Sequence, residues 1–276
     1  MRLSVFTKVF GALAPAEVAR ALAATGVEAA NLLARTGGTA DPEVPGEVSR
    51  AVAALRAGGV DVPMVTTDIV RDDDASRRLL AEIADTGVSR SRLGFFTYDA
   101  GLGYDVTLAL ARQELERLAS YAASLRIELV LQLHQHSLHA SAALARRLVD
   151  GIDDKSLRLA LDPANQAVEG SEDVRVSLDL IGARGSFVGV KDVTWERSAG
   201  GFEARWTPLG EGVVAWRDVA HELIRRGFDD FFDLHVFHAS AADAATRGAA
   251  DVKALRAFME QARRRARDDE NQGSGT

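Results

Sequence analysis

The chain predicts a single (β/α)8 TIM barrel over residues 1–262, and three observations carry that prediction. Eight short β-like runs alternate with amphipathic helical segments from one end to the other, a rhythm that suits a closed parallel barrel better than an open sheet. Polar residues recur at the C-terminal ends of several runs, where barrel enzymes collect their chemistry. The 276 residues also fit one barrel, a fold that commonly takes about 250.

The first run, Leu3 to Phe10, leads to a helix over Pro15 to Ala24. There Ala16, Val18, Ala19, Leu22 and Ala23 keep helical spacing, and Pro15 suits a first turn. The second run, Val27 to Ala34, stops at Arg35 beside a Gly-Gly turn. Gly58 and Gly59 close a helix just before the third, Val62 to Ile69. A helix over Asp73 to Thr86 ends at Gly87 and precedes the fourth run, Arg92 to Tyr98. After a helix over Leu108 to Leu125 come Glu128 to Ser137, Leu157 to Leu161, Ser186 to Val193 and Asp230 to Phe237. A last helix covers Ser240 to Arg264. Residues 263–276, charged and then Gly/Ser-rich, are expected to fray into solvent.

Composition narrows the function. A formal charge of −7 offers no general field for phosphates, so nucleic acid is not the expected partner. The chain has no cysteine, which removes disulfides, thiol nucleophiles and thiolate metal sites together. No signal-like segment opens it, and no apolar run reaches the roughly 18 residues of a membrane span. These features predict a cytoplasmic protein with a small-molecule substrate, no nucleic-acid or membrane partner, and self-association left open.

The candidate chemistry sits at the run ends. The fifth ends in His134, Gln135, His136 and Ser137, the sixth in Asp162 and Asn165, the seventh in Lys191 and Asp192, and the eighth in His235 and His238. Only four lysines occur, Lys8, Lys155, Lys191 and Lys253, so a lysine leaving an apolar strand is a candidate catalytic group. It can polarise a carbonyl or neutralise an enolate, with Asp192 expected to orient it. His134, Asp162 and His235 come from three run ends and form a candidate ligand set for Zn, Mn, Fe or Co. The alternative for Asp162 to Asn165 is an Asx-type turn. Arg35, His136, Asn165 and Trp195 are candidate substrate contacts, with Trp206 and Tyr98 as further mouth aromatics. No P-loop, nucleophile elbow or HExxH motif occurs, and no organic cofactor is expected.

Short elements in a fixed order give these features a family likeness. Arg35 to Gly38 followed by Pro42 resembles an R-x-G-G…P element, and Pro63 to Thr67 an apolar third strand ending in threonines. Gln135 to Ser137 is similar to an Asn-His-Ser, and Asp162 to Gly170 to a D-x-G-H…E-G element. Val190 to Asp192 with Trp195 resembles V-K-D…W. Pro208 to Gly212 resembles P-L-G-E-G, and Leu234 to Val236 resembles S-L-H-V-E. The set resembles the xylose isomerase-like TIM-barrel superfamily of sugar phosphate isomerases and epimerases.

That resemblance implies metal-assisted proton transfer beside a carbonyl, with Glu, Asp, His and Glu presented to a divalent ion. Here His134 stands at the first glutamate, Gly189 at the histidine and His235 at the final glutamate, while Asp162 is retained. Asn165 replaces the histidine of the D-x-x-H element, and Phe237 a following glutamate. Fewer carboxylates favour nitrogen-preferring ions, or none. The leading expectation is an isomerase- or epimerase-like enzyme in which Lys191 steadies an enolate while His134 and His235 move the proton or hold a metal with Asp162. A lyase or cyclase on the same barrel, or a binding protein that has lost its metal, are the alternatives.

Overall fold

Strands of branched apolar residues stopped by glycine-rich or proline-led turns set the order of the chain. The computed structural model describes residues 2–11 and 13–273. β1 (Arg2–Phe6) is followed by a 3-10 turn (Thr7–Phe10) and α1 (Pro15–Thr25), whose Glu17 carboxylate accepts from the Ala14 N–H at 3.1 Å. Gly26 then closes the helix in the left-handed region at φ 70°. β2 (Ala29–Leu33), α2 (Glu47–Ala57), β3 (Asp61–Thr66) and α3 (Asp74–Asp85) follow, the last capped by the Asp73 side chain. Next come β4 (Arg90–Arg92), α4 (Tyr104–Ser124), β5 (Glu128–Gln132), α5 (Ala142–Val149), β6 (Leu157–Leu161), α6 (Pro163–Val168) and α7 (Val174–Ile181). β7 (Gly185–Val190) leads into an antiparallel pair, β8 (Asp192–Ser198) and β9 (Gly201–Thr207). α8 (Trp216–Arg225), β10 (Phe231–Leu234) and α9 (Ala244–Gly273) complete the chain.

Eight parallel strands close in the order β1-β10-β7-β6-β5-β4-β3-β2. Between strands and helices lies a continuous apolar shell that includes Leu22, Leu55, Leu115, Leu131 and Leu255. Inside the barrel a smaller cluster of Ala29, Met64, Val130, Ala160, Phe187 and Phe231 fills the lower layer, with the two phenyl rings stacked at 5.3 Å. Beneath it Arg90 pairs with Glu128 and Asp230, each at 2.8 Å, and seals the N-terminal end. Chemistry is therefore left to the opposite mouth. No helix among the described residues is long and apolar enough to cross a membrane.

Most strands are shorter than the expected runs, and three departures shape the mouth and the tail. The fourth run, expected over Arg92 to Tyr98, pairs only over Arg90–Arg92. Gly94 then passes so near the Asp68 carbonyl that a Cβ would lie 2.8 Å from it, and the chain turns out of the ladder carrying Phe95 and Phe96 to the mouth. The seventh run, expected over Ser186 to Val193, ends at Val190, and Asp192 and Val193 open the β8–β9 hairpin that holds Trp195 and Trp206 and turns at Ala199 and Gly200. Helix continues past Arg263, where the composition suggests fraying, as far as Gly273; residues 274–276 of that tail lie outside the described residues.

Candidate active site

Successive residues of a strand face opposite sides, so every second residue of each barrel strand points inward. On β5 that series is Glu128, Val130, Gln132 and then His134; on β6 it is Arg158, Ala160 and Asp162. On β7 it is Phe187, Gly189 and Lys191, and on β10 Phe231, Asp233 and His235. In each strand the apolar lower layer gives way to polar groups within one or two steps. The sequence reading found the top member of each series and, on β5 and β10, missed the polar residue below it.

Asp162 is the hub. It is fully buried and spends its oxygens separately: Oδ1 accepts the Asn165 backbone N–H at 2.9 Å, capping α6, while Oδ2 accepts from Gln132 Nε2 at 2.5 Å and from Lys191 Nζ. The expected Asx-type turn and the expected site residue are thus one carboxylate doing both. Gln132 Oε1 in turn accepts from Arg92 Nη1. Gly189 gives this cluster its space, since a Cβ there would come within 2.5 Å of Asp162 Oδ2 and 2.8 Å of Gln132 Nε2. Burial pulls the Lys191 ammonium below the usual lysine range, opposed by the Asp162 charge and hydrogen bond. Its Nζ also lies 5.2 Å from the Trp206 ring and 5.9 Å from that of Phe237.

Two imidazoles flank the lysine. His134 stacks on Phe95 at 3.7 Å, and its Nδ1–H donates to the Gln135 carbonyl at 2.7 Å, which leaves Nε2 as an acceptor. Burial lowers its pKa to about 4, so the ring is neutral at pH 7. His235 Nε2–H donates to Asp233 Oδ2 at 3.0 Å, and burial with the nearby Lys191 charge keeps this ring neutral as well. Burial pushes Asp233 upward, but the bonds from His235, Asn31 and Ser4 outweigh it and hold the carboxyl low. Lys191, His134, His235, Asn165 and Arg35 line one cavity of about 40 Å³ with Lys8, Arg92, Gln132 and Phe237. Within it Asn165 donates Nδ2 to the Leu133 carbonyl at 2.9 Å, while its buried Oδ1 has no partner.

Two expected contacts stand apart. His136 is held at the rim by Glu169, its Nδ1 3.0 Å from the carboxylate, with a side chain 82% exposed and φ at 60°. Trp195 lies further out on the same face of the hairpin and is 40% exposed, whereas Trp206, paired across the hairpin with Val193, covers Lys191. Asp192 does not orient the neighbouring lysine. It is buried and accepts from the backbone N–H groups of Val193, Gly210 and Val214, tying down the loop after β9. The residues that sequence reasoning missed are Lys8, Arg92, Gln132 and Asp233. A step of two back from His134 and His235 finds Gln132 and Asp233; Arg92 was hidden because its run was taken to begin there.

The donors present fit a divalent ion poorly. Among the described residues no three His, Asp or Glu side chains are grouped to hold one. The expected trio of His134, Asp162 and His235 is not assembled as a ligand set. Asp162 is capped by an ammonium and an amide, His235 Nε2 is spent on Asp233, and β7 brings a glycine where a nitrogen donor would be needed. A cation is nevertheless present at the carboxylate, as the side chain of Lys191.

The family model of the xylose isomerase-like TIM barrel matches residues 16–261. No curated protein sequence matches the chain. Among solved structures, an L-ribulose 3-epimerase superposes with a TM-score of 0.72 at 16% identity, over 96% of this chain and 97% of its own. The probable 3-DHS dehydratase of petrobactin synthesis from Bacillus anthracis gives 0.71 at 18%, over 92% and 98%. A xylose isomerase-like TIM barrel protein from Mycobacterium smegmatis, solved in complex with magnesium, gives 0.70 at 14%, over 95% and 97%. Likeness at these identities speaks for the fold, and the family match covers most of the chain: it belongs to the xylose isomerase-like TIM barrel family.

Proposed function

We propose that the chain is an isomerase- or epimerase-like enzyme that moves a proton beside the carbonyl of a small hydroxylated substrate, with an ammonium in place of a divalent ion. The observation that carries this reading is Lys191, buried on Asp162 and facing the same cavity as two neutral imidazoles. Removing a proton next to a carbonyl puts negative charge on the carbonyl oxygen, and a fixed cation in a dry site stabilises that charge far better than water does. Asp162 holds the ammonium in place. His134, with Nε2 free to accept, is the base; His235, oriented by Asp233, is the group on the other side. Their strands, β5 and β10, lie three ladder steps apart on a ring of eight, which favours proton transfer at two faces over a one-sided elimination. The unpartnered Asn165 Oδ1 is an acceptor for a substrate hydroxyl.

The test is a panel of small hydroxy-ketones and hydroxy-aldehydes incubated with the enzyme in D2O and followed by NMR. Deuterium entering the carbon beside the carbonyl, with an isomer or epimer as product, supports the reading. Loss of a hydroxyl to give an unsaturated product would make the enzyme a lyase, and no exchange with any member would overturn proton transfer.

A further inference from the structure

The charges around the central cavity do not cancel. Four cations line it, Lys8, Arg35, Arg92 and Lys191. Three carboxylates act on them: Asp68 pairs with Arg35, Asp162 pairs with Lys191, and Asp233 is bonded to Asn31, Ser4 and His235. Both histidines of the cavity are neutral, so one positive charge is left over. It falls on Arg92 and Lys8, neither of which forms an ion pair among the described residues. Arg92 is 4% exposed, its Nη1 is spent on the neutral Gln132, and its buried Nε has no partner at all. The Nε and Nη2 edge of a guanidinium is the fork that grips a carboxylate with two parallel bonds. On Arg92 that edge is unused, and the rings of Phe6 and Phe95 flank the group at 5.1 and 5.6 Å. Lys8 stands over Phe237 at 5.0 Å without an acid of its own.

A buried, unpaired guanidinium is costly to fold around unless an anion completes it. We infer that the cavity binds a substrate carboxylate, gripped by the free edge of Arg92 and faced by Lys8, so that the substrate is a small hydroxy or keto acid and not a neutral sugar. This rests on the proposed proton-transfer reading for the identity of the ligand as substrate, but the anion site itself is testable without turnover. A planar carboxylate suits the fork and the small volume better than a tetrahedral phosphate does.

The experiment is thermal unfolding and calorimetric titration of the full chain at low ionic strength with D-glycerate, its neutral counterpart glyceramide, and inorganic phosphate. Glycerate is expected to bind and raise the melting temperature, with glyceramide at least tenfold weaker. Lys8→Met, on an exposed side chain, should weaken glycerate severalfold and retain the fold. Arg92→Met should abolish glycerate binding and, freed of its unpaired charge, melt no lower than the parent protein. His134→Gln should stop turnover yet keep glycerate affinity within about threefold, which separates failure of the anion site from failure of the chemistry. Equal binding of glycerate and glyceramide, binding of phosphate in preference to glycerate, or glycerate affinity unchanged in both Lys8→Met and Arg92→Met would each overturn the carboxylate site.

Discussion

Lys191 and Asp192 leave the end of β7 on opposite sides of the barrel wall: the lysine turns inward onto Asp162, and the aspartate turns outward onto three backbone N–H groups. Adjacent in sequence and opposite in sign, they are not partners. One belongs to the cavity and the other to the architecture around it.

Lys191→Met should therefore lose function, and it should also lower stability by about 3–5 kcal/mol because the buried Asp162 carboxylate is left without its cation. The methionine retains much of the apolar stem, while the lost ammonium costs on the order of 2–4 kcal/mol of transition-state stabilisation, by analogy with removing one positioned donor to an oxyanion. Lys191→Arg should restore little, because a planar guanidinium does not take the place of a compact ammonium. Turnover on the substrate found by the exchange panel, measured with thermal unfolding, checks this; normal turnover in Lys191→Met removes the lysine from the chemistry.

Asp192→Ala should cost stability and leave the cavity groups in place. It strips acceptors from the N–H groups of Val193, Gly210 and Val214, and an orphaned buried donor costs about 1–3 kcal/mol. A drop in stability of a few kcal/mol in urea unfolding is expected, with the loop from Gly210 to Val214 gaining amide exchange. Gly212→Ala should act in the same direction, since its Cβ would collide with the Asp192 carboxylate.

Acid should unfold the protein through its histidines. His139 is fully buried, donating Nδ1–H to the Gln132 carbonyl at 2.8 Å and accepting the Phe96 N–H on Nε2 at 3.3 Å, and burial lowers its pKa to about 3. His134 lies at about 4. Both are below the unfolded value of about 6.5, so the unfolded chain binds more protons between those values, and stability falls as pH drops from about 6.5 towards 3. Asp251 runs the other way: burial raises it to about 6, so its contribution is lost as pH rises through that value. Denaturation midpoints between pH 3.5 and 7 should fall towards acid, and His139→Gln should flatten the slope. An unchanged slope in that variant would show that the imidazole does not carry it.

Divalent ions should matter little to the folded protein. With Asp162 already bonded to Lys191, millimolar Mn2+ or Mg2+ should not raise the melting temperature, and exhaustive chelation should not lower it. A tightly held stoichiometric ion in the purified protein, found by elemental analysis, would contradict the ammonium as the resident cation.

The barrel is legible in the sequence because its strands are short apolar runs at regular spacing, and because four of them end in residues too polar for a core. Asp162, Lys191, His134 and His235 stand out for that reason. Gln132 and Asp233 do not, because each sits inside a run whose hydrophobic neighbours mask it, and only the closed register shows that it points at the others. Arg92 is harder still: Phe95 and Phe96 extend its apolar run beyond the ladder, which moves the apparent strand end six residues on, to Tyr98. The hairpin of Trp206 is masked by its glycines, which look like loop until the two flanks are seen to pair.

Gly189 gives this mouth a direction of change. A side chain cannot be added there while Asp162 and Gln132 keep their places, because both stand within contact of where its Cβ would begin. Placing an imidazole on β7 would therefore require moving the neighbouring carboxylate and amide first, and shifting Asp162 breaks the hold on Lys191. A β7 side chain at this position and an ammonium seated on Asp162 thus exclude one another at this mouth.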